Sequence, residues 1–234
     1  MAYKTTYEER LFSKGMRRWL HSARFFWLQE KAAKNWKNDH RIIELGCFNG
    51  KAIEYLPGSF KSYSGYDAGW EGGLDEAIER FKEPEISFHK CIGAEEFKLD
   101  DEFDIFISLE TLEHVRPNQV QAYLSEVKNN MSARGRAFIS VPNEIGLLFV
   151  LKQMAKILFY REKPRFGLKE FFWQAMGKVE RVEWDEHKGF SYKRFEALLN
   201  SMFVVEKSEG LQFSFLPRAM NPSIGFVCAR RQDA

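Results

Sequence analysis

Thiols are scarce in this sequence. Its 234 residues include only Cys47, Cys91 and Cys228, far apart and with no CxxC pair. That argues against a disulfide framework or a zinc–thiolate site and suits a reducing cytoplasm. Long apolar runs are missing as well, and none approaches the length of a membrane span. The first residues are basic and polar without an apolar segment, so no secretory leader is expected. There is no internal repeat or low-complexity tract, which excludes solenoid and linker architectures. What remains is 44% hydrophobic and 29% charged, the composition of a soluble globular protein with one good core. The small net charge of +2 is unevenly spread. Residues 1–41 carry ten Lys/Arg against four Asp/Glu, and residues 145–184 carry eight against four, so basic character lies outside the central segment.

The chain is organised around Arg41-Ile42-Ile43-Glu44-Leu45-Gly46-Cys47-Phe48-Asn49-Gly50. A β-branched run ends in an acid and enters a turn bounded by two glycines, where the backbone can bend sharply and approach a ligand. Lys51–Leu56 reads as a helix stopped by Pro57-Gly58. A second strand, Lys61–Tyr66, ends in Asp67. That is about twenty residues after Gly46, the distance at which an α/β nucleotide site puts a carboxylate on ribose hydroxyls. The turn lacks the three-glycine spacing that suits a pyrophosphate, which argues against a dehydrogenase.

Further along, the alternation predicts a doubly wound sheet. A helix is expected over Gly72–Phe81 and a strand over Ile86–His89. The near-continuous apolar run Phe103–Leu109 reads as a central strand buried on both faces. Pro117 opens an amphipathic helix through Val120, Tyr123, Leu124 and Val127. Strands follow at Gly135–Pro142, Phe203–Lys207 and Ile224–Ala229, with a helix at Tyr192–Ser201. Residues 7–36, with Leu11, Phe12, Trp19, Phe26 and Trp27 spaced among arginines, read as one or two helices. The expected organisation is a helical lid over 1–40, a core over 41–143 and 185–234, and an inserted helical cap over 144–184.

Glu44–Gly50, Tyr66-Asp67 and Leu109-Glu110-Thr111-Leu112-Glu113-His114-Val115 resemble class I S-adenosylmethionine-dependent methyltransferases with a type 11/23-like domain. The resemblance covers about residues 38–142 well. It implies an α/β, Rossmann-like, doubly wound seven-stranded sheet with an antiparallel last strand and N-terminal helices, while the helical insertion after strand 5 is read from residues 144–184, which do not fit that plain core. It implies further that Gly46, Cys47, Asn49, Gly50 and Leu109 surround S-adenosyl-L-methionine. Glu44 would steady the loop or meet the amino group, and Asp67 would take the ribose. Phe48 stands where the family often has glycine. No acid directly follows the third strand, so backbone near Gly93 and Ala94 would meet the adenine.

Glu110, Glu113 and His114 are the candidate catalytic groups, just beyond the buried fourth strand. Similar E-x-x-E-H segments bind a divalent metal in the ubiquinone-pathway O-methyltransferases and in the small-RNA 3′-end 2′-O-methyltransferases. In the latter a further histidine follows the fifth strand, as His187 does here. Three readings stand open: a Mg²⁺ or Mn²⁺ site built from Glu110, Glu113, His114 and His187, a metal-free base at His114, or a segment with no catalytic role. His21, His40 and His89 read as structural or surface. The expected activity is O-methylation of a sugar, lipid-linked glycan or small-metabolite hydroxyl. The alternatives are metal-dependent RNA 2′-O-methylation or a non-catalytic cofactor-binding subunit. With modest charge and no appended RNA-binding module, nucleic acid is the less favoured partner. The apolar and basic stretch 147–175 is a candidate for peripheral membrane contact, so the expected location is cytoplasmic, at or near the inner membrane surface.

Overall fold

A computed structural model describes residues 15–160, 163–185 and 187–231. The expected helical turns over residues 7–14, with Leu11 and Phe12, lie outside the described residues. The strands are β1 (Arg41–Leu45), β2 (Ser62–Asp67), β3 (Ile86–Lys90), β4 (Phe103–Leu109), β5 (Met131–Pro142), β6 (Phe203–Gly210) and β7 (Ser223–Arg230). The helices are α1 (Met16–Ala33), α2 (Gly73–Arg80), α3 (Pro117–Asn130), α4 (Gly146–Tyr160), α5 (Leu168–Ala175) and α6 (Tyr192–Met202).

All seven strands form one sheet in the order β3-β2-β1-β4-β5-β7-β6. β1 to β5 pair in parallel, whereas β7 runs antiparallel to both β5 and β6. This is the doubly wound sheet that the alternation predicted, with the reversed last strand that the resemblance implied. The strand order reverses between β1 and β4, the switch point at whose carboxyl ends open α/β sheets bind their ligands.

Each face of the sheet is covered. On one face, Trp27 and Leu28 of α1 pack with Ile105 and Phe138. The Trp27 ring meets Phe138 edge-on at 6.3 Å. Gly225 makes room for it, since a Cβ there would stand 2.6 Å from the indole. The second face buries Leu124 and Val127 of α3 and Phe195 and Leu199 of α6 with Phe106, Ala137 and Phe226. Each such apolar side chain contributes about 1.5–3 kcal/mol when fully buried, so the two layers fix the plane on which the site is built.

The structure alters several expected boundaries. The segment after Gly50 is a 3₁₀ helix, Lys51–Tyr55, not an α-helix. Gly50 is left-handed and Pro57 follows closely, so too few residues remain for α-helical hydrogen bonds to propagate. β5 begins at Met131, before Gly135, because Met131 pairs with Phe103 ahead of a register shift in β4. β6 continues to Gly210 along its antiparallel partner.

The insertion is a pair of helices, α4 and α5, held by one buried amide. Gln174 donates to the carbonyls of Glu144 (2.7 Å) and Phe190 (2.9 Å) and accepts from Gly189 N–H (3.0 Å). It therefore joins α5 to the end of β5 and to the loop carrying His187. Phe149 is fully buried against Phe166 and Phe171, at 5.1 and 5.3 Å, and gives the pair its own small core.

Candidate active site

The loop after β1 is shaped by positive φ angles at Gly46 (81°), Phe48 (46°) and Gly50 (72°). Gly46 and Cys47 donate to the Tyr66 carbonyl at 2.7 and 3.3 Å, which ties the loop to the end of β2. A Cβ on Gly46 would fall on the Thr111 side chain, 2.6 Å from its Cβ, so the glycine lets the post-β4 segment close on the loop. Phe48 takes a conformation that costs a non-glycine residue about 1–2 kcal/mol, and its N–H donates to Asp67 Oδ2 at 3.0 Å. Gly69 N–H donates to Asp67 Oδ1 at 2.8 Å. Asp67 therefore organises two backbone turns at the tip of β2 and keeps lone pairs for hydroxyl donors. Asn49 is buried, and its amide reaches Glu76 of α2 at 3.4 Å.

Glu44 lies beneath the loop, fully buried, and accepts from the Tyr63 hydroxyl. Burial pushes its carboxyl up to about 8, with Asp67 acting the same way and the Tyr63 hydrogen bond opposing. A cation arriving above this carboxyl would draw its proton off. Burial, together with Glu44 and Asp67, also raises the Cys47 thiol well above its ordinary range, so Cys47 is packing rather than a nucleophile. Beyond β3, Cys91 N–H donates to the Asp67 carbonyl at 2.8 Å, and Ala94 is buried. The exposed Ile92 receives its cap from Glu96 Oε2 at 2.7 Å. Gly93 and Ala94 thus follow β3 just beyond the hydrogen bond that ties Cys91 to the tip of β2. Leu109, buried at the end of β4, accepts the Thr111 hydroxyl at 3.5 Å.

Beyond β4 the four candidate groups separate. Glu113, His114 and His187 come together, with one ligating atom from each lying within 4.8 Å of the others. The two imidazole rings meet edge-on at 4.3 Å, and His114 Nε2 is 3.9 Å from Glu113 Oε1. Glu110 does not join them, a correction to the four-residue set expected from the sequence. Its left-handed backbone (φ 55°) turns the side chain toward α1, where it pairs with Arg24, accepts Ser223 Oγ at 2.5 Å and faces His21 Nδ1 at 3.8 Å. Burial opposes its charge, but Arg24, His21 and Ser223 overcome that and hold the carboxyl well below the usual range. Glu113, by contrast, is raised well above the carboxylate range by burial and by the nearby Glu110 charge. Burial, then His114 and Lys152, lowers His187 to about 3, so it stands as a neutral imidazole. Among the described residues, the buried Glu113 Oε2 and His187 Nδ1 have no hydrogen-bond partner.

Arg24 and Ser223 belong to this site but were not singled out from the sequence, and His21 was set aside. Arg24 precedes a run of aromatic residues on α1 and reads as one more cation of a solvated face. The available hint was a lone arginine flanked by Phe25, Phe26 and Trp27, all on a helix that must bury aromatics.

The family model described as "Methyltransferase domain" matches residues 8–174. No curated protein matches the chain. Among solved structures, an S-adenosylmethionine-dependent methyltransferase from Clostridium acetobutylicum superposes with a TM-score of 0.64 at 12% identity, over 95% of each chain. Magnesium protoporphyrin IX methyltransferase from Synechocystis, with bound S-adenosylhomocysteine (SAH), gives 0.63 at 15%, over 95% of this chain and 92% of its own. A Pyrococcus horikoshii protein gives 0.62 at 17%, over 96% of each chain. At these identities the structures establish a shared fold, and the family model supplies the membership. With that match and a glycine loop built at the switch point of the sheet, the chain belongs to the methyltransferase-domain family and is an S-adenosylmethionine-dependent methyltransferase.

Proposed function

We propose that the protein moves the methyl group of S-adenosylmethionine to a hydroxyl, with His114 as the base. The donor is already a sulfonium, so alignment and removal of the acceptor proton dominate the barrier. In the step, an acceptor oxygen attacks the methyl carbon as the carbon–sulfur bond breaks. SAH leaves, and the hydroxyl proton passes to His114. What carries the reading is the convergence of Glu113, His114 and His187 beside the post-β1 loop, with Thr111 in contact with that loop. His114 is one-third exposed, open to a substrate, while Glu113 beneath it is buried. A sugar, lipid-linked glycan or small metabolite would fit the mixed cationic and apolar surroundings supplied by α4 and α5.

A second reading rests on the two buried, unpartnered atoms, Glu113 Oε2 and His187 Nδ1. One carboxylate and two imidazoles suit Mn²⁺ or Zn²⁺ better than Mg²⁺. When bound, such an ion would make an acceptor hydroxyl more acidic. Glu113, His114 and His187 would hold it, and Glu110 would stay with Arg24. Both readings are tested on protein saturated with SAH, by Mn²⁺ electron paramagnetic resonance against Glu113→Gln. Methyl transfer to hydroxyl acceptors and to short RNA is measured in parallel. Stoichiometric Mn²⁺ binding lost in Glu113→Gln selects the metal reading. No binding, with a loss of about 10²–10⁴ in kcat for His114→Ala, selects the base. Tight cofactor binding without turnover on any hydroxyl would sink both and favour a non-catalytic subunit.

A further inference from the structure

We propose that α4 and α5 form a docking face for an anionic lipid surface. The outward row of α4 is Leu147, Leu151, Met154 and Leu158, at spacings of four, three and four, which places them along one line of the helix. They are 70%, 53%, 50% and 66% exposed. α5 and its C-terminal cap expose a second row, Leu168, Phe172 and Met176, four residues apart and at least half exposed. This is not core left over from poor packing, because Phe149 already closes the inner side of the pair against Phe166 and Phe171. Two such exposed apolar rows on one packed helix pair are unusual for a monomer and mark a place where something binds.

Charge decides what binds. Residues 147–169 hold six Lys/Arg and one Asp/Glu. Lys163, Arg165 and Lys169 stand exposed in and just after the segment joining the two helices, beside the apolar row. An apolar face rimmed by cations suits the interface of an anionic bilayer, where side chains enter the acyl boundary and lysines meet the headgroups. A second copy is the poorer occupant, because a two-fold contact would set the same cationic rim against itself. Spanning the bilayer is excluded for the described helices, none of which is long and apolar enough. The face is also tied to the site. Lys152 of α4 pairs with Glu144 at 2.6 Å, and Gln174 links α5 to the His187 loop. Docking would therefore bring the site next to the headgroups. That the docked site acts on a hydroxyl carried by an amphiphile rests on the O-methyltransferase reading; the docking itself does not.

The test is co-flotation of the full chain with vesicles of phosphatidylcholine alone or mixed equally with phosphatidylglycerol. SAH binding serves as the check on folding. Binding is expected only to the mixed vesicles. Leu151→Glu with Leu158→Glu should weaken it at least about a hundredfold. Lys163→Gln with Lys169→Gln should weaken it about fivefold per lysine, with a smaller salt dependence. Failure to float at low salt would overturn the proposal, as would flotation that survives both double variants. A dimer that the leucine variant disperses, in protein that ignores vesicles, would assign the face to a second copy instead. Vesicle binding without methyl transfer to any amphiphilic hydroxyl would uphold docking and sink the acceptor reading.

Discussion

Replacing Arg24 by methionine should leave the Glu110 carboxylate buried without its main partner. The side chains of Arg24 and Glu110 are only 10% and 14% exposed, so water can do little to replace the lost charge. Breaking one side of a buried pair costs about 3–5 kcal/mol, and Ser223 and His21, which remain, favour the lower end. At about 2.1 cal/mol/K per residue, a chain of 234 residues loses roughly 2 °C of Tm per kcal/mol, so Arg24→Met should melt about 6–10 °C lower at pH 7. The sign of the pH dependence follows from the depressed carboxyl. Its stabilisation is complete above the ordinary glutamate value of 4.5 and is lost as pH falls toward the folded value. The difference between wild type and variant should therefore narrow below about pH 4. Arg24→Met combined with Glu110→Gln removes the orphaned charge and should recover most of the loss. Calorimetry of the four proteins measures the coupling. A drop under about 2 °C, or two single effects that simply add, would refute the ion pair as the lock between α1 and the post-β4 loop.

Other perturbations probe the remaining links. Gly46→Ala places a Cβ on Thr111 at a φ of 81°, so SAH affinity measured by calorimetry should fall at least about tenfold, from about 1–2 kcal/mol of backbone strain plus the clash. Glu44 keeps its proton in the folded state up to about pH 8, while the unfolded chain releases it near 4.5. Stability should thus decline as pH rises between those values, by at most about 1.4 kcal/mol per unit, and urea midpoints of Glu44→Gln should lack this slope. Gln174→Leu leaves two carbonyls and one N–H unmatched in a buried place, for about 2–4 kcal/mol in denaturant titrations. If His187 depends on that staple, the same variant should also slow methyl transfer at unchanged SAH affinity. An equal loss in both would point to a general structural effect.

The backbone frame proposed to hold the cofactor was largely legible in the sequence because its signals are local. Glu44, the glycines at 46 and 50, and Asp67 announce a strand, a turn and a second strand tip through short-range backbone chemistry. The arrangement beyond β4 depended on contacts no local pattern reveals. Glu110 lies in the same E-x-x-E-H segment as Glu113, yet a left-handed backbone and an arginine 86 positions earlier turn it away. Gln174 reads as an ordinary polar residue on an amphipathic helix, and only the fold shows that it is buried among three backbone partners. The 3₁₀ segment after Gly50 looked like an α-helix because composition alone cannot separate the two over five residues.

The order in which the strands are made has a consequence for synthesis. β7, residues 223–230, lies inside the sheet between β5 and β6 rather than at its border. While the chain is being made, β5 waits with one edge bare and β6 has no neighbour, a condition that invites misassociation. Ser223, one of the last described residues, holds the same carboxylate that Arg24 grips from near the beginning. The loop bearing His114 therefore takes its shape only when α1 and β7 are both in place. A ribosome-stalled chain lacking residues after 215 should bind no SAH and show no protection at β5 from proteases.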